Sequence, residues 1–219
     1  MANVLIFGLQ GNAELAHYYL EHDSEHQVAA FCVHRAYMPA DGQFKGLKVV
    51  AYEDVAEAYP ASDFQFFAPM SPKHMNSDRE RIFRDIKGKG YRMISYLSSK
   101  ATTFGNEIGE NCFILEDNTI QPFTRIGNNV VLWSGNHIGH HGCIHDHVTM
   151  TSHVVMSGHC EIGAYSFLGV NATLRDGVTI GEGSFIAMAS AIVKNTEPWS
   201  VYKGNPARKL SMSSKDLKF

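Results

Sequence analysis

The chain has 219 residues, room for one domain of ordinary size plus a smaller one, each with its own core. A formal net charge of -3 gives no basic field to attract nucleic acid or an anionic membrane. No apolar run approaches the roughly 20 residues that span a bilayer, and four widely spaced cysteines without a CxxC pair argue against a zinc ribbon or a disulfide framework.

The opening segment Met1-Ala-Asn-Val-Leu-Ile-Phe-Gly8 has no basic stretch before its apolar run and no signal-like cleavage site. It reads as a first strand, Val4–Phe7, of a cytoplasmic protein. Gly8-Leu-Gln-Gly-Asn12 follows, then an amphipathic segment from Ala13 to about Glu21. Strands are expected at Gln27–Val33 and Leu47–Ala51, with a short helix from near Asp54. A buried strand at Phe64–Ala68, a helix at Asp78–Lys87 and a last strand at Arg92–Tyr96 complete this part. Strands alternating with helices imply a small, Rossmann-like parallel α/β sheet over residues 1–97. The Gly8/Gly11 turn lets backbone N–H groups and a helix N-terminus approach an anionic group such as a phosphate. It lacks the full GxGxxG fingerprint, and glycines that merely permit a tight turn explain it equally well.

A linker, Ser98 to Gly105, leads into a different pattern. From Ile108 to Ile192 an aliphatic residue stands at every sixth position, and small or β-branched residues such as Thr124, Val130, Ser166 and Ala172 follow four residues after most of them. A period of six fits neither the 3.6 of a helix nor the alternation of a lone strand. It is the signature of a parallel β-helix of hexapeptide repeats, about five triangular coils within residues 98–210. The repeat breaks at Pro198, and Tyr202-Lys-Gly-Asn-Pro-Ala-Arg208 leads to a polar tail, 211–219, that reads as frayed or helical.

Seven of the twelve histidines fall between His137 and His159. His141, His147, His153 and His159 share one hexad position, three after the aliphatic residue. With three hexads per turn, residues eighteen apart stack, so His141 lies over His159, and His140 over Gly158. Adjacent strands are about 4.8 Å apart, so stacked side chains touch. Three readings compete: polar corner residues without chemistry, metal ligands, or a general base with a pKa near neutrality. A metal needs three or four convergent ligands, and positions six apart lie on different faces of the triangle, so no metal is expected.

With Val4-Leu-Ile-Phe-Gly-Leu-Gln-Gly11, Ile138-Gly-His-His-Gly-Cys-Ile144, Ser157-Gly-His-Cys-Glu-Ile-Gly163, Phe167-Leu-Gly-Val-Asn171 and Gly204-Asn-Pro-Ala-Arg208, the chain resembles the bacterial nucleotide-sugar acyltransferases of the sialic-acid and bacillosamine pathway type over nearly its whole length. The resemblance implies a nucleotide-binding α/β domain followed by a left-handed β-helix. It implies a homotrimer, with acetyl-CoA in the groove between neighbouring β-helices and one active site per interface. Its general base aligns on His140 and its oxyanion donor on the N–H of Gly158. Coenzyme contacts fall on Thr149, Gly158, Val170 and Met188, with Lys203 or Arg208 near a phosphate. The nucleotide of a nucleotide-linked amino sugar is expected around Gly8, Gln10, Gly11 and Asn12, with His34 or Arg35 near its base.

The chain also departs from the family. The acidic residue that commonly follows the base is His141 here, leaving Asp146, Asp117 and Glu116 as candidates to orient the imidazole. The family's second histidine is Thr149, its coenzyme-facing glycine is replaced within Ala187-Met-Ala189, and the acidic residues after the second strand are replaced by Val33-His-Arg35. The expected activity is N-acetyl transfer to a 4-amino-4,6-dideoxy sugar for surface glycan synthesis. O-acyl transfer or another acyl donor, a zinc-dependent carbonic-anhydrase-like protein, and a non-catalytic nucleotide-sugar binder are the alternatives.

Overall fold

The computed structural model describes residues 2–218, so Met1 and Phe219, at the ends of the expected first domain and tail, lie outside it. The first part is a five-stranded sheet in the order β3-β4-β2-β1-β5, comprising β1 (Asn3–Phe7), β2 (Gln27–Val33), β3 (Gln43–Phe44), β4 (Leu47–Ala51) and β5 (Phe64–Phe67). All pairings are parallel except that of β3 with β4. Helix α1 (Gly11–His22) lies against one face through Ala13, Ala16 and Leu20; α2 (Val55–Ala58) and α3 (Ser77–Gly88) cover the other through Val55, Ile82 and Ile86. Burial on both faces explains why β1 and β2 read as continuous apolar runs rather than alternating ones.

The expected last strand of this sheet is not one. Only Met93 bridges β5, at Phe66, and β6 (Tyr96–Leu97) pairs with Phe113–Ile114 of the second part. The chain therefore changes sheets across Arg92–Leu97, before the expected linker.

Two-residue strands then recur at every hexad from Phe113–Ile114 to Ala191–Ile192 and stack eighteen residues apart into three flat parallel faces. The register is regular: Val131 pairs with Thr149, His137 with Val155 and Cys143 with Glu161. Each aliphatic side chain of the ladder from Ile114 to Ile192 is at most 4% exposed, so the period of six is the period of the core. Burying one such side chain contributes about 1.5–3 kcal/mol.

The corners explain the rest of the repeat. Three residues after each aliphatic residue, from Asn111 to Ala189, φ is positive. Apart from glycine, asparagine, aspartate and histidine are the types that most readily accept this conformation. His141, His147, His153 and His159 therefore occupy positions where histidine is conformationally suitable whatever its chemistry.

The tail is ordered rather than frayed. Ser200–Lys203 and Arg208–Ser213 form an antiparallel hairpin that continues one face, and Ser214–Asp216 is a single 3-10 turn with a capping box. Lys215 Nζ lies 4.1 Å from the Trp199 ring centre, and the Ser214 hydroxyl donates to Gly183 O.

The two parts share a core. Phe113, Leu115 and Val131 of the β-helix pack with the α1 side of the sheet, and α3 docks on one corner. There Arg79, fully buried, donates to Asn76 Oδ1 (2.9 Å), Thr149 Oγ1 (2.6 Å) and the Asn129 carbonyl.

Candidate functional site

His140, His141 and His159 are exposed on one edge of the β-helix. His141 follows a positive φ of 55° at the corner, which turns its ring back toward its neighbour. The Nδ1 atoms of His140 and His141 share a hydrogen bond of 3.1 Å. His141 stacks on His159 with ring centres 5.0 Å apart and 17° between planes, and Phe123 covers its other side at 4.6 Å. His140 stands edge-on to both imidazoles.

The other edge of the His140 ring faces Gly158. A Cβ on Gly158 would lie 2.7 Å from His140 Cε1, 2.9 Å from Nε2 and 3.0 Å from Asp176 Oδ1, so no side chain fits. The expected stacking of His140 over Gly158 is thus present. The amide two residues after an aliphatic residue lies outside the backbone ladder, and side chains satisfy some of these: Asn128 N–H donates to Asp146 Oδ1 (2.7 Å) and His140 N–H to Gln121 Oε1 (3.0 Å). The N–H of buried Gly158 has no acceptor among the described residues. The equivalent amides of Asp146, Ser152 and Asp176 likewise have none; what sets the Gly158 amide apart is its place beside the His140 ring, where it is suited to an external oxygen.

None of the three acidic candidates meets His140. Asp146 holds the Asn128 amide, and Glu116 accepts from Tyr19 Oη (2.8 Å) and Ser134 Oγ (2.9 Å) under α1. Asp117 makes no hydrogen bond or ion pair to it.

The argument against a shared metal site holds for His141, His147 and His153, which lie on three different corners. It does not hold for His140, His141 and His159, whose ring nitrogens come within 4.8 Å of one another. Sequence spacing missed this because the three combine one residue and its neighbour with one stacked from the next coil.

The second feature is a cavity of about 550 Å³ at the carboxyl end of β1. Gly8, Gln10, Gly11, Asn12 and His34 line it, as expected. Gly8 has a φ of 115°, which lets the chain turn sharply into α1 and leaves that helix's first amides facing the opening. His34 is held by Glu53 Oε1 at 3.0 Å, and hydrogen bonds from the backbone amides of Glu53 and Arg35, together with His34, lower that carboxyl to about 2.

Arg35 is a correction. Its guanidinium pairs with Asp54, outside the cavity lining, because the 3-10 turn Arg35–Tyr37 carries the side chain away. Lys73 and Arg81 supply positive charge to the lining instead, with Tyr37 and Ser71. Lys73 ends the Ala68–Lys73 segment, and Arg81 lies on α3, whose packing no local signal reveals.

Thr149 is a second correction. It is 2% exposed and its hydroxyl is bonded to both Arg79 and Asn76, so a coenzyme cannot reach it. Val170 and Met188 are exposed, at 39% and 72%, and stack on each other, but on a different edge from His140 and Gly158. Lys203 and Arg208 face each other across the closing hairpin, both exposed.

A parallel α/β sheet feeding a three-faced left-handed β-helix, with a histidine edge on the helix and a cavity at the glycine turn, defines the class of this structure. Residues 107–140 match the family described as bacterial transferase hexapeptide (six repeats). No curated protein sequence matches the chain. Among solved structures it is similar to a histidine-to-asparagine mutant of perosamine N-acetyltransferase from Caulobacter crescentus in complex with CoA and GDP-perosamine. That match has 19% identity and a TM-score of 0.84, covering 97% of this chain and 98% of the other. The acetyltransferase domain of PglB from Neisseria gonorrhoeae gives 18%, 0.81, 96% and 100% in the same order. WeeI from Acinetobacter baumannii gives 19%, 0.80, 96% and 100%. The likeness spans both parts and establishes the fold. No helix among the described residues is long and apolar enough to cross a membrane.

Proposed function

We propose that the chain is an acetyl-CoA-dependent N-acetyltransferase acting on a nucleotide-linked amino sugar, and that it works as a cytoplasmic homotrimer. The observation that carries this reading is the pairing of His140 Nε2 with the unpartnered amide of Gly158 on adjacent coils. The acceptor amine attacks the thioester carbonyl and His140 Nε2 takes the proton that the nitrogen sheds. The Gly158 N–H meets the oxygen as it becomes an oxyanion, and collapse expels the CoA thiolate, which recovers the proton from His140. The chemistry needs no metal.

The α/β cavity supports the substrate class. Its volume suits a nucleotide portion, and the first turn of α1, Lys73 and Arg81 offer amides and cations to a diphosphate. The solved structures of similar fold that hold both CoA and GDP-perosamine support a nucleotide sugar and a coenzyme as the two ligands. A 4-amino-4,6-dideoxy sugar destined for surface glycan is the specific acceptor this reading names.

The test is direct. Purified protein is given acetyl-CoA and a panel of nucleotide-linked amino sugars, and product is followed by mass together with thiol release. N-Acetylated product from one of them is expected. His140→Ala should lower turnover by about 10²–10⁴, the usual contribution of a general base, with the trimer intact by sedimentation. Near-normal turnover in that variant would remove His140 from the mechanism.

A further inference from the structure

We infer that His140, His141 and His159 form a binding site for a divalent transition-metal ion, separate from any cofactor role. One ring nitrogen from each lies within 4.8 Å of the other two, and no other group of three or more histidine, cysteine or acidic residues among the described residues converges in this way. Two nitrogens bound tetrahedrally to zinc at 2.0–2.1 Å are about 3.4 Å apart. The His140–His141 pair already stands at 3.1 Å. The separations of up to 4.8 Å close by side-chain rotation of these exposed rings, His141 swinging out from between Phe123 and His159.

The donor set selects the ion. Three imidazoles without a thiolate favour zinc, copper or nickel over magnesium or calcium, and leave a fourth position for water. His141 and His159, stacked with 17° between their planes and ring centres 5.0 Å apart, splay so that their in-plane lone pairs converge on the ion. A bound ion occupies lone pairs of the imidazoles, including one on His140. The ion therefore inhibits acyl transfer, a consequence that rests on the function proposed above, whereas the binding itself does not.

Tag-free, chelator-stripped full-length protein is titrated with Co²⁺ under visible absorption and with Zn²⁺ by calorimetry. One ion per chain and the intense d–d bands of four-coordinate cobalt are expected. His159→Asn, which keeps a residue suited to the positive φ at that corner, should weaken affinity by about tenfold to a hundredfold. In the wild-type protein, Zn²⁺ should shield His140, His141 and His159 from diethylpyrocarbonate while the exposed His22 and His74 remain reactive. Equal affinity in variant and wild type, or no shielding of the three, overturns the site. Zn²⁺ binding with unchanged turnover would preserve the site and overturn only the inhibition.

Discussion

At the scale of the residue, the consequential position is 141. For His140 Nε2 to accept a proton it must carry a lone pair, which places the ring's own proton on Nδ1. That proton is donated to His141 Nδ1 at 3.1 Å, and His141 then holds its proton on Nε2. A neutral imidazole orients the base but stabilises the resulting imidazolium less than a carboxylate does. His141→Asp, which offers a carboxylate to the imidazolium, should therefore keep or raise kcat, while His141→Ala, which offers no partner, should lower it several-fold, both read at saturating substrates. Aspartate accepts the corner's positive φ, so the comparison is not confounded by backbone strain. Equal losses of kcat in His141→Asp and His141→Ala would show that His141 acts by packing alone between Phe123 and His159. The stacking of His140 over Gly158 follows from counting in eighteens, whereas the choice of His140 among seven neighbouring histidines came from the family resemblance. Neither reveals which group orients His140, since that depends on the side-chain rotation of two adjacent histidines.

At the scale of the element, α3 and the corner beneath it decide how the two parts hold together. Along that corner Asn111 Nδ2 donates to Asn129 Oδ1 (2.8 Å) and Asn129 Nδ2 to His147 Nδ1 (2.9 Å), and His147 stacks on Tyr165 and Tyr165 on Trp199. Burial lowers Arg79 to about 10, so it stays charged at neutral pH and rests on neutral oxygens alone. Arg79→Met takes a donor from Thr149 Oγ1 and the Asn129 carbonyl, leaving Asn76 Oδ1 only the Thr149 hydroxyl, and should cost about 1–3 kcal/mol in urea unfolding. His147 is also held neutral: burial lowers its pKa, and its Nδ1 accepts a hydrogen bond that an imidazolium could not accept. The unfolded chain gains a proton at this histidine near pH 6.5 whereas the folded one does not. Stability from this group is therefore complete above about pH 7 and declines as pH falls through 6.5 toward the lowered folded value. Urea midpoints at pH 7.5 and 5.5 should show the decline, and His147→Asn should flatten it. The hexad ladder and the stacking of residues eighteen apart were legible from the period, whereas the positive φ at each corner emerged only in the structure. The covered corner was not, because Asn111, Asn129 and His147 look like ordinary corner residues until α3 docks on them. Arg79, on a helix that reads as strongly polar, carries no local sign of burial.

At the scale of the whole molecule, one chain divides the proposed site between two edges. His140 and Gly158 stand on one, Val170 and Met188 on another, and nothing within a chain brings them together. Thr149, which resemblance assigned to the coenzyme, is enclosed by Arg79 and Asn76, so of the proposed coenzyme contacts beyond Gly158 only the exposed pair and the hairpin cations stay accessible. The proposed homotrimer accounts for the separation if the base edge of one subunit faces the coenzyme edge of the next. Two inactive proteins then complement each other. His140→Ala lacks the base but keeps Met188; Met188→Asp keeps the base but sets a carboxylate where the coenzyme would lie, at a side chain exposed enough for the fold to tolerate it. Each homotrimer should have little activity. After joint unfolding and refolding at equal concentrations, an interface receives an intact base edge half the time and an intact coenzyme edge half the time. About a quarter of wild-type activity should therefore return if subunits exchange at random. The activity should track the fraction of mixed trimers resolved by native mass spectrometry. A site contained in one chain would give no recovery at any ratio, because every subunit would carry one defect or the other.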